Sequence, residues 1–370
     1  MILINFLFYS FLIIFLIQVA YYAVLFLRFG LSKINKPSKK NIGISVLICA
    51  KNESENLKAF IPFILEQDYP QFEIILINDD SKDDTLDIME GFAASSERVK
   101  VVNVKPVDAF WKNKKYPLTL GIKASTYNFL LFTDADCKPL SNRWISEMSR
   151  HFSNTNEIVL GYGGYKKIPG SFLNTLIRFE TVFTAMQYFS FAIIGKPYMG
   201  VGRNLAYRKE TFFKVKGFTE HMNVASGDDD LFINQAANSY NTTICIDPAS
   251  FTESIPKQNF RAWFDQKRRH ITTSKYYKSN FKILLGLFYI SQFLFWALAF
   301  TLLILSFQWK LVLAIFLLRL LLVYISYGLS AKKFKALDTL LFLPILELFL
   351  IIVQMVIFIS NQTSKTHHWR

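Results

Sequence analysis

The sequence predicts an α/β domain with a parallel sheet, held between membrane-spanning helices at both ends of the chain. Three observations lead there. Hydrophobic residues make up 52% of the 370 positions, and they gather at the two ends, leaving a charge-rich middle. Within that middle, short apolar runs alternate with segments of helical spacing, the pattern of strands covered by helices. Polar clusters follow the apolar runs, and in such sheets ligands bind beyond the carboxyl ends of the strands.

Residues 2–29 carry no charge before Arg28. At about 1.5 Å per residue this run exceeds the roughly 30 Å of a bilayer core. A cleaved signal peptide is the competing reading, but it needs a positive start and a small-residue cleavage site. The start lacks Lys and Arg, and Ala20-Tyr21-Tyr22-Ala23 is a poor site, so 1–29 is expected to be an anchor. The domain is expected to run from 41 to about 280. Its strands are read at 44–50, 72–77, 99–104 and 128–133, and its helices at 54–67, 84–94 and 118–125. The first helix shows apolar Leu57, Phe60, Ile61, Ile64 and Leu65 at helical spacing. Residues 171–194 are long and apolar yet carry Arg178 and Glu180, so an amphipathic helix lying in the membrane interface is expected. Three further spans are expected within 284–360, at 284–307, 311–330 and 339–360. Pro344 and Glu347 leave the last of these open to a re-entrant reading.

The formal net charge is +14. Lys and Arg cluster after the first span, before the second and between the third and fourth. All three clusters fall on one side if each segment crosses once. The positive-inside rule makes that side cytoplasmic, at a bacterial inner membrane. Lys365 and Arg370, in the tail beyond the last span, fit this less well. Anionic headgroups account for the positive charge. No basic-aromatic interleaving suggests a nucleic-acid groove. Cys49, Cys137 and Cys245 lack disulfide or metal spacing and read as reduced thiols. Arg319 and Glu347 lie inside predicted spans and are expected to face a bundle interior.

Three polar clusters stand at predicted strand ends: Lys51-Asn52-Glu53, the run 78–85 (NDDSKDDT) and Asp134-Ala135-Asp136. Each alone reads equally well as a turn or a helix cap. Their convergence on one rim is harder to explain as loop chemistry. Asp134 and Asp136 are two apart, so an extended chain points both the same way. Like charges that close raise each other's pKa, which asks what sits between them.

SVLICAKNESENL, INDDSKDDT, NKKYPLTLGIKA, FTDADC, GRNLAYRKETFFKVKGF, SGDDDLF and QKRRH occur in this order between 44 and about 270. In sequence and spacing they resemble a family 2 glycosyltransferase of the nucleotide-sugar-binding GT-A fold. The anchors at both ends resemble those of membrane-embedded members, relatives of cellulose, hyaluronan and poly-N-acetylglucosamine synthases. The resemblance implies that Asp79 contacts the uracil or ribose of a UDP-sugar, with Glu53 nearby. The family's Gly-Lys element matches Asn113-Lys114, where the glycine is missing, so Lys114 or Lys115 would lie near the nucleotide. Asp134 and Asp136 would hold Mg2+ or Mn2+ with the diphosphate, Asp136 the more directly; such cations take oxygen ligands. Asp228 is the implied general base, with Asp229 one residue away as the alternative. Gly202, Arg203 and Asn204 match the segment lining the donor and acceptor sugars. Gln266 and Arg269 match a Gln-x-x-Arg-Trp element in which His270 replaces the tryptophan.

The implied activity is an inverting transfer from a UDP-sugar to a lipid-linked or polysaccharide acceptor at the cytoplasmic face. A processive polysaccharide synthase is the nearest alternative. A membrane-bound nucleotidyltransferase, which would release pyrophosphate, and a non-catalytic assembly subunit are alternatives of other classes. Neither the sugar nor the acceptor is identified.

Overall fold

The computed structural model describes residues 1–105 and 113–363; Lys365 and Arg370 lie outside them. The strands are β1 (Ile44–Ala50), β2 (Phe72–Asp79), β3 (Val99–Val104), β4 (Phe129–Phe132), β5 (Cys137–Pro139), β6 (Ile158–Leu160), β7 (Gly163–Tyr165), β8 (Leu205–Arg208), β9 (Thr242–Ile244) and β10 (Thr252–Ser254). Seven of them form one sheet in the order β3-β2-β1-β4-β8-β6-β9, and β5-β10-β7 form a small second sheet.

The four strands β3, β2, β1 and β4 are parallel, with Leu47 of β1 opposite Ile75 and Phe132. The expected all-parallel sheet stops there, because β8 runs antiparallel to both β4 and β6. The reason is local. The turn Gly202–Asn204 sits at the carboxyl end of β4, where Thr133 Oγ1 donates to the Arg203 carbonyl at 3.1 Å. A strand leaving that point can only run back along β4. The reversal also delivers residues 202–204 to the rim where the polar clusters lie.

Strand β1 is buried along its whole length, and successive side chains feed opposite cores. Val46 and Ile48 pack with Leu57 and Ile61 of the helix Ser54–Leu65 and with Trp144. Leu47 and Cys49 face Leu118 and Ile122 of the helix Lys115–Ala124. Gly121 lets that helix close on the sheet, since a Cβ there would stand 2.2 Å from Ile77 Cδ1. This second core runs on without a break into Tyr22, Phe26 and Phe29 of the first span, Tyr327 of the third and Phe334 just after it.

Among the described residues, four helices are long and apolar enough to cross a membrane: Ile2–Leu31, Ser279–Ile304, Trp309–Lys333 and Leu337–Thr363. The α-helical part of the last is unbroken over Leu343–Thr363, with Pro344 in its first turn. In the bundle interior Arg319 donates to both Glu347 oxygens, at 2.6 and 2.5 Å. Gln18 accepts from Arg319 at 2.8 Å and donates to Ser291 at 2.7 Å, and Gln292 reaches Tyr22 and Glu347 at 3.0 Å each. All four spans contribute to this network.

The segment 171–194 forms the helix Phe172–Ile193. Of its 22 residues, 14 are buried, so it is packed between the sheets and the spans. Its charges are each satisfied: Arg178 pairs with both oxygens of Asp338, at 2.6 and 2.9 Å, and Glu180 lies 2.5 Å from Lys267. Phe189 stacks on Phe29 and Phe334. Basic loops meet the catalytic domain at this same end. Lys333 donates to the Ser32 carbonyl, and Lys36 pairs with Asp247.

Candidate active site

The site lies where β1, β2 and β4 end. Asp134 and Asp136 do not alternate along an extended strand, because β4 stops at Phe132. A turn brings them together instead, closed by the Cys137 N–H donating to the Asp134 carbonyl at 3.1 Å. One ligand atom each from Asp134, Asp136 and Cys137 lies within 4.8 Å of the others. The Cys137 thiol is buried, and burial followed by the two aspartates pushes its pKa up, so it stays protonated. It contacts Ser254 Oγ at 2.7 Å and Asp136 Oδ1 at 3.4 Å. A protonated thiol is a poor ligand for a hard cation, which leaves the carboxylates.

The two aspartates differ electrically. Burial works against the charge of Asp134, but Lys114, Arg203 and Arg269 outweigh it and hold its pKa below the ordinary range. For Asp136, burial and then the charge of Asp134 outweigh Arg203 and Lys257 and push its pKa up. A buried carboxylate raised by its neighbour's charge is the arrangement that a divalent cation relieves. The residues therefore fit Mg2+ or Mn2+.

The adjacent lysines have separate roles. Lys114 Nζ lies 2.5 Å from Asp134 and 3.5 Å from Asp228. Lys115 turns the other way and donates to the carbonyls of His221, Val224 and Ser226 at 2.7–2.8 Å. Burial lowers its pKa to about 8, against the pull of the nearby aspartates. It braces the loop that carries Asp228, so its candidacy as a nucleotide ligand falls. The three adjacent aspartates separate in the same way. Asp230 accepts from Thr273 and, at 2.7 Å, from Tyr277, anchoring the segment after the helix Phe260–Ile271. Asp229 caps the helix Asp230–Ala236 and accepts from the Gly202 N–H at 2.7 Å. Burial, then Asp228 and Asp230, raise its pKa to about 8. Asp228 is the one that meets Lys114.

Arg203 lies over the Tyr165 ring, 4.2 Å from its centre, and donates to the Gly164 carbonyl at 3.2 Å. Gly202 lines a small cavity with Cys49, Lys114, Thr133, Asp228 and Asp229. Asn204 is the correction in this segment. It is fully buried, donates to the Tyr162 and Ser250 carbonyls, and accepts from the Trp144 indole. With those partners it braces the backbone under the rim and does not line a sugar pocket. Gln266, Arg269 and His270 lie on the helix Phe260–Ile271, Gln266 and Arg269 half-buried and His270 exposed. Arg269 is within electrostatic reach of Asp228 and Asp134. Arg268 is held by Ser360 and Asn361 of the last span, so this basic stretch is tied into the protein rather than spread on lipid.

Asp79 ends β2 half-buried; burial and then Asp80 raise its pKa, while Lys51 and Lys114 oppose. Glu53 is raised by burial and by Asp136, with Asn56 and Lys257 opposing. Asp83 is spent as a cap, accepting from the Thr85 and Ser54 N–H groups. Glu53, Asp79, Lys114, Asp134, Asp136, Asp228, Arg203 and Arg269 thus converge on one rim. Lys51, Lys257 and Tyr165 also reach it and were not singled out from the sequence. Lys51 had a signal, standing in the first strand-end cluster. Lys257 and Tyr165 had none.

Residues 45–215 match the family described as Glycosyl transferase family 2, and residues 151–360 match Glycosyl transferase family group 2. The chain is 35% identical over 94 residues to the poly-beta-1,6-N-acetyl-D-glucosamine synthase of Staphylococcus epidermidis, covering 25% of this chain and 22% of that protein. It is 26% identical over 244 residues to the probable glycosyltransferase YdaM of Bacillus subtilis, covering 63% and 55%. It therefore spans between about a fifth and about half of the length of these relatives. Among solved structures, a mannosyltransferase from Pyrobaculum calidifontis, in complex with GDP-Man and Mn2+, aligns with a TM-score of 0.56 at 16% identity. That alignment covers 86% of this chain and 97% of the other, and it shows a shared GT-A fold. With one of these family matches covering more than half of its length, the chain belongs to the family 2 glycosyltransferases.

Proposed function

We propose that this protein transfers a sugar from a UDP-sugar to a lipid-linked or polysaccharide acceptor, with inversion, at the cytoplasmic face of a bacterial inner membrane. The observation that carries the reading is the meeting of Asp136, Asp134 and Asp228 on one rim, beside a core continuous with the spans. In this reading Asp79 and Glu53 bind the uridine, and Arg203 and Arg269 face the diphosphate; guanidinium suits phosphate oxygens. Asp136 and Asp134 would hold the divalent cation, a kind that accompanies the nucleotide sugar in the Pyrobaculum mannosyltransferase. When bound, such an ion offsets the negative charge of the departing diphosphate.

Asp228 accepts the proton of the acceptor hydroxyl as that oxygen bonds to the anomeric carbon. The bond from this carbon to the UDP oxygen breaks, and its electron pair leaves with UDP. A base acts only within hydrogen-bond reach, and Asp228 is the aspartate of the three not committed to capping or anchoring. A lipid-linked acceptor is favoured over a polymer threaded through this chain, because the Arg319–Glu347 network fills the centre of the bundle.

The test is UDP release by purified protein in detergent, with Mn2+ and a panel of labelled UDP-sugars and lipid acceptors. Asp228→Asn should lower the rate by about 10²–10⁴-fold while metal-dependent UDP binding persists. Release of pyrophosphate instead of UDP would overturn the reading in favour of nucleotidyl transfer. Full activity in Asp228→Asn with none in Asp229→Asn would move the base by one residue.

A further inference from the structure

Lys114 is the residue that touches both halves of the site. Its largely buried ammonium lies 2.5 Å from Asp134 Oδ1 and 3.5 Å from Asp228 Oδ2. Those two aspartates come from different loops, one closing the turn after β4 and one preceding the helix Asp230–Ala236. The same Asp134 is one of the two carboxylates that fit a divalent cation. An ammonium and a divalent ion bound at one carboxylate repel each other, and the buried setting screens that repulsion poorly. An incoming diphosphate offers it a new negative partner, because lysine binds phosphate as a point charge.

Resting on the transferase reading above, we propose that Lys114 is a positioning residue that changes partners as the donor binds. In the cation-free enzyme it holds Asp134 and Asp228 together, so the base is paired and unavailable. Arrival of the cation and the nucleoside diphosphate displaces it from Asp134 towards the phosphates. Asp228 is then released to take the acceptor proton. Competition for one carboxylate is reciprocal, so whatever loosens Lys114 must tighten the cation. The device makes donor binding precede acceptor deprotonation.

The experiment measures Mn2+ binding to the full-length protein in detergent, by the electron paramagnetic resonance of free Mn2+, first without nucleotide. Lys114→Met should bind Mn2+ alone about tenfold more tightly than wild type, because a competing charge is gone. At saturating Mn2+ the same variant should bind UDP about tenfold more weakly, because the phosphate partner is gone. These opposite signs distinguish a change of partner from a fixed ion pair, whose loss would weaken both. Lys114→Arg keeps the charge and should stay near wild type for Mn2+ alone. Lys115→Met, which removes only the brace under the Asp228 loop, should not tighten Mn2+.

Unchanged or weaker Mn2+ binding in Lys114→Met, in a wild type that binds Mn2+ and releases UDP, would overturn the partner change and leave the transferase reading standing. Equal tightening in Lys115→Met would also overturn it, assigning the effect to bulk charge. If wild type binds no Mn2+ with or without UDP, the cation assignment falls and this inference falls with it.

Discussion

At the scale of single residues, the site is organised by how neighbouring side chains divide the available partners. Asp229 and Asp230 are occupied by backbone N–H groups and hydroxyls, which leaves Asp228 facing the rim. Asp136 is the carboxylate raised by its neighbour, so it gains most from a cation. Asp136→Ala should therefore abolish the Mn2+ dependence of UDP binding, as read by calorimetry with and without Mn2+. Asp229 makes stability depend on pH. Its folded pKa of about 8 lies above the ordinary value of 3.8, so the folded state favours the protonated acid. As pH rises from about 4 towards 8, the unfolded chain ionises freely while the folded chain resists, and stability is lost. The melting temperature of Asp229→Asn relative to wild type should thus rise between pH 5 and pH 8. A difference that is flat or falls with pH would contradict the buried-acid assignment.

At the scale of elements, the helix Phe260–Ile271 is held from two directions. Asp230 grips the segment just after it through Thr273 and Tyr277, and the last span grips Arg268. This double attachment is what brings Arg269 to the aspartates. Tyr277→Phe leaves a buried carboxylate short of a donor, which costs about 1–3 kcal/mol. Thermal unfolding in detergent should show that loss. Activity should fall further than stability alone accounts for, because Arg269 loses its support; an unchanged rate at full occupancy of the folded state would contradict this. The enclosed helix Phe172–Ile193 makes a related point. It is a long apolar segment with two charges, and Asp338 and Lys267 pair with both charges and allow it to be buried.

At the scale of the whole molecule, the catalytic sheet and the spans share one core, and the four spans share one polar network. Breaking one side of a buried ion pair typically costs 3–5 kcal/mol, whereas replacing both sides with apolar groups is often neutral. Arg319→Met and Glu347→Leu should each destabilise the detergent-purified protein by about that amount. The double variant should recover most of the loss in melting temperature. Lack of recovery would mean that Gln18, Tyr22 and Gln292 depend on the pair to stay satisfied.

Much of this was legible in the linear chain because it depends on local patterning. Apolar runs mark β1 to β4 and the four spans, and strand-end polar clusters mark Glu53, Asp79, Asp134 and Asp136, since both signals lie within a few adjacent residues. The chemical types of the site residues and the family they resemble follow from the same short stretches. The direction of β8, the burial of Asn204, the different partners of Lys114 and Lys115, and the capping and anchoring contacts of Asp229 and Asp230 were decided only in the tertiary structure. Each of these turns on a partner far away in sequence: Thr133 for the turn before β8, Trp144 for Asn204, the 221–226 carbonyls for Lys115, and Thr273 and Tyr277 for Asp230. Composition and spacing carry no information about which distant donor claims which oxygen, because that is settled by how the loops and helices pack around the sheet.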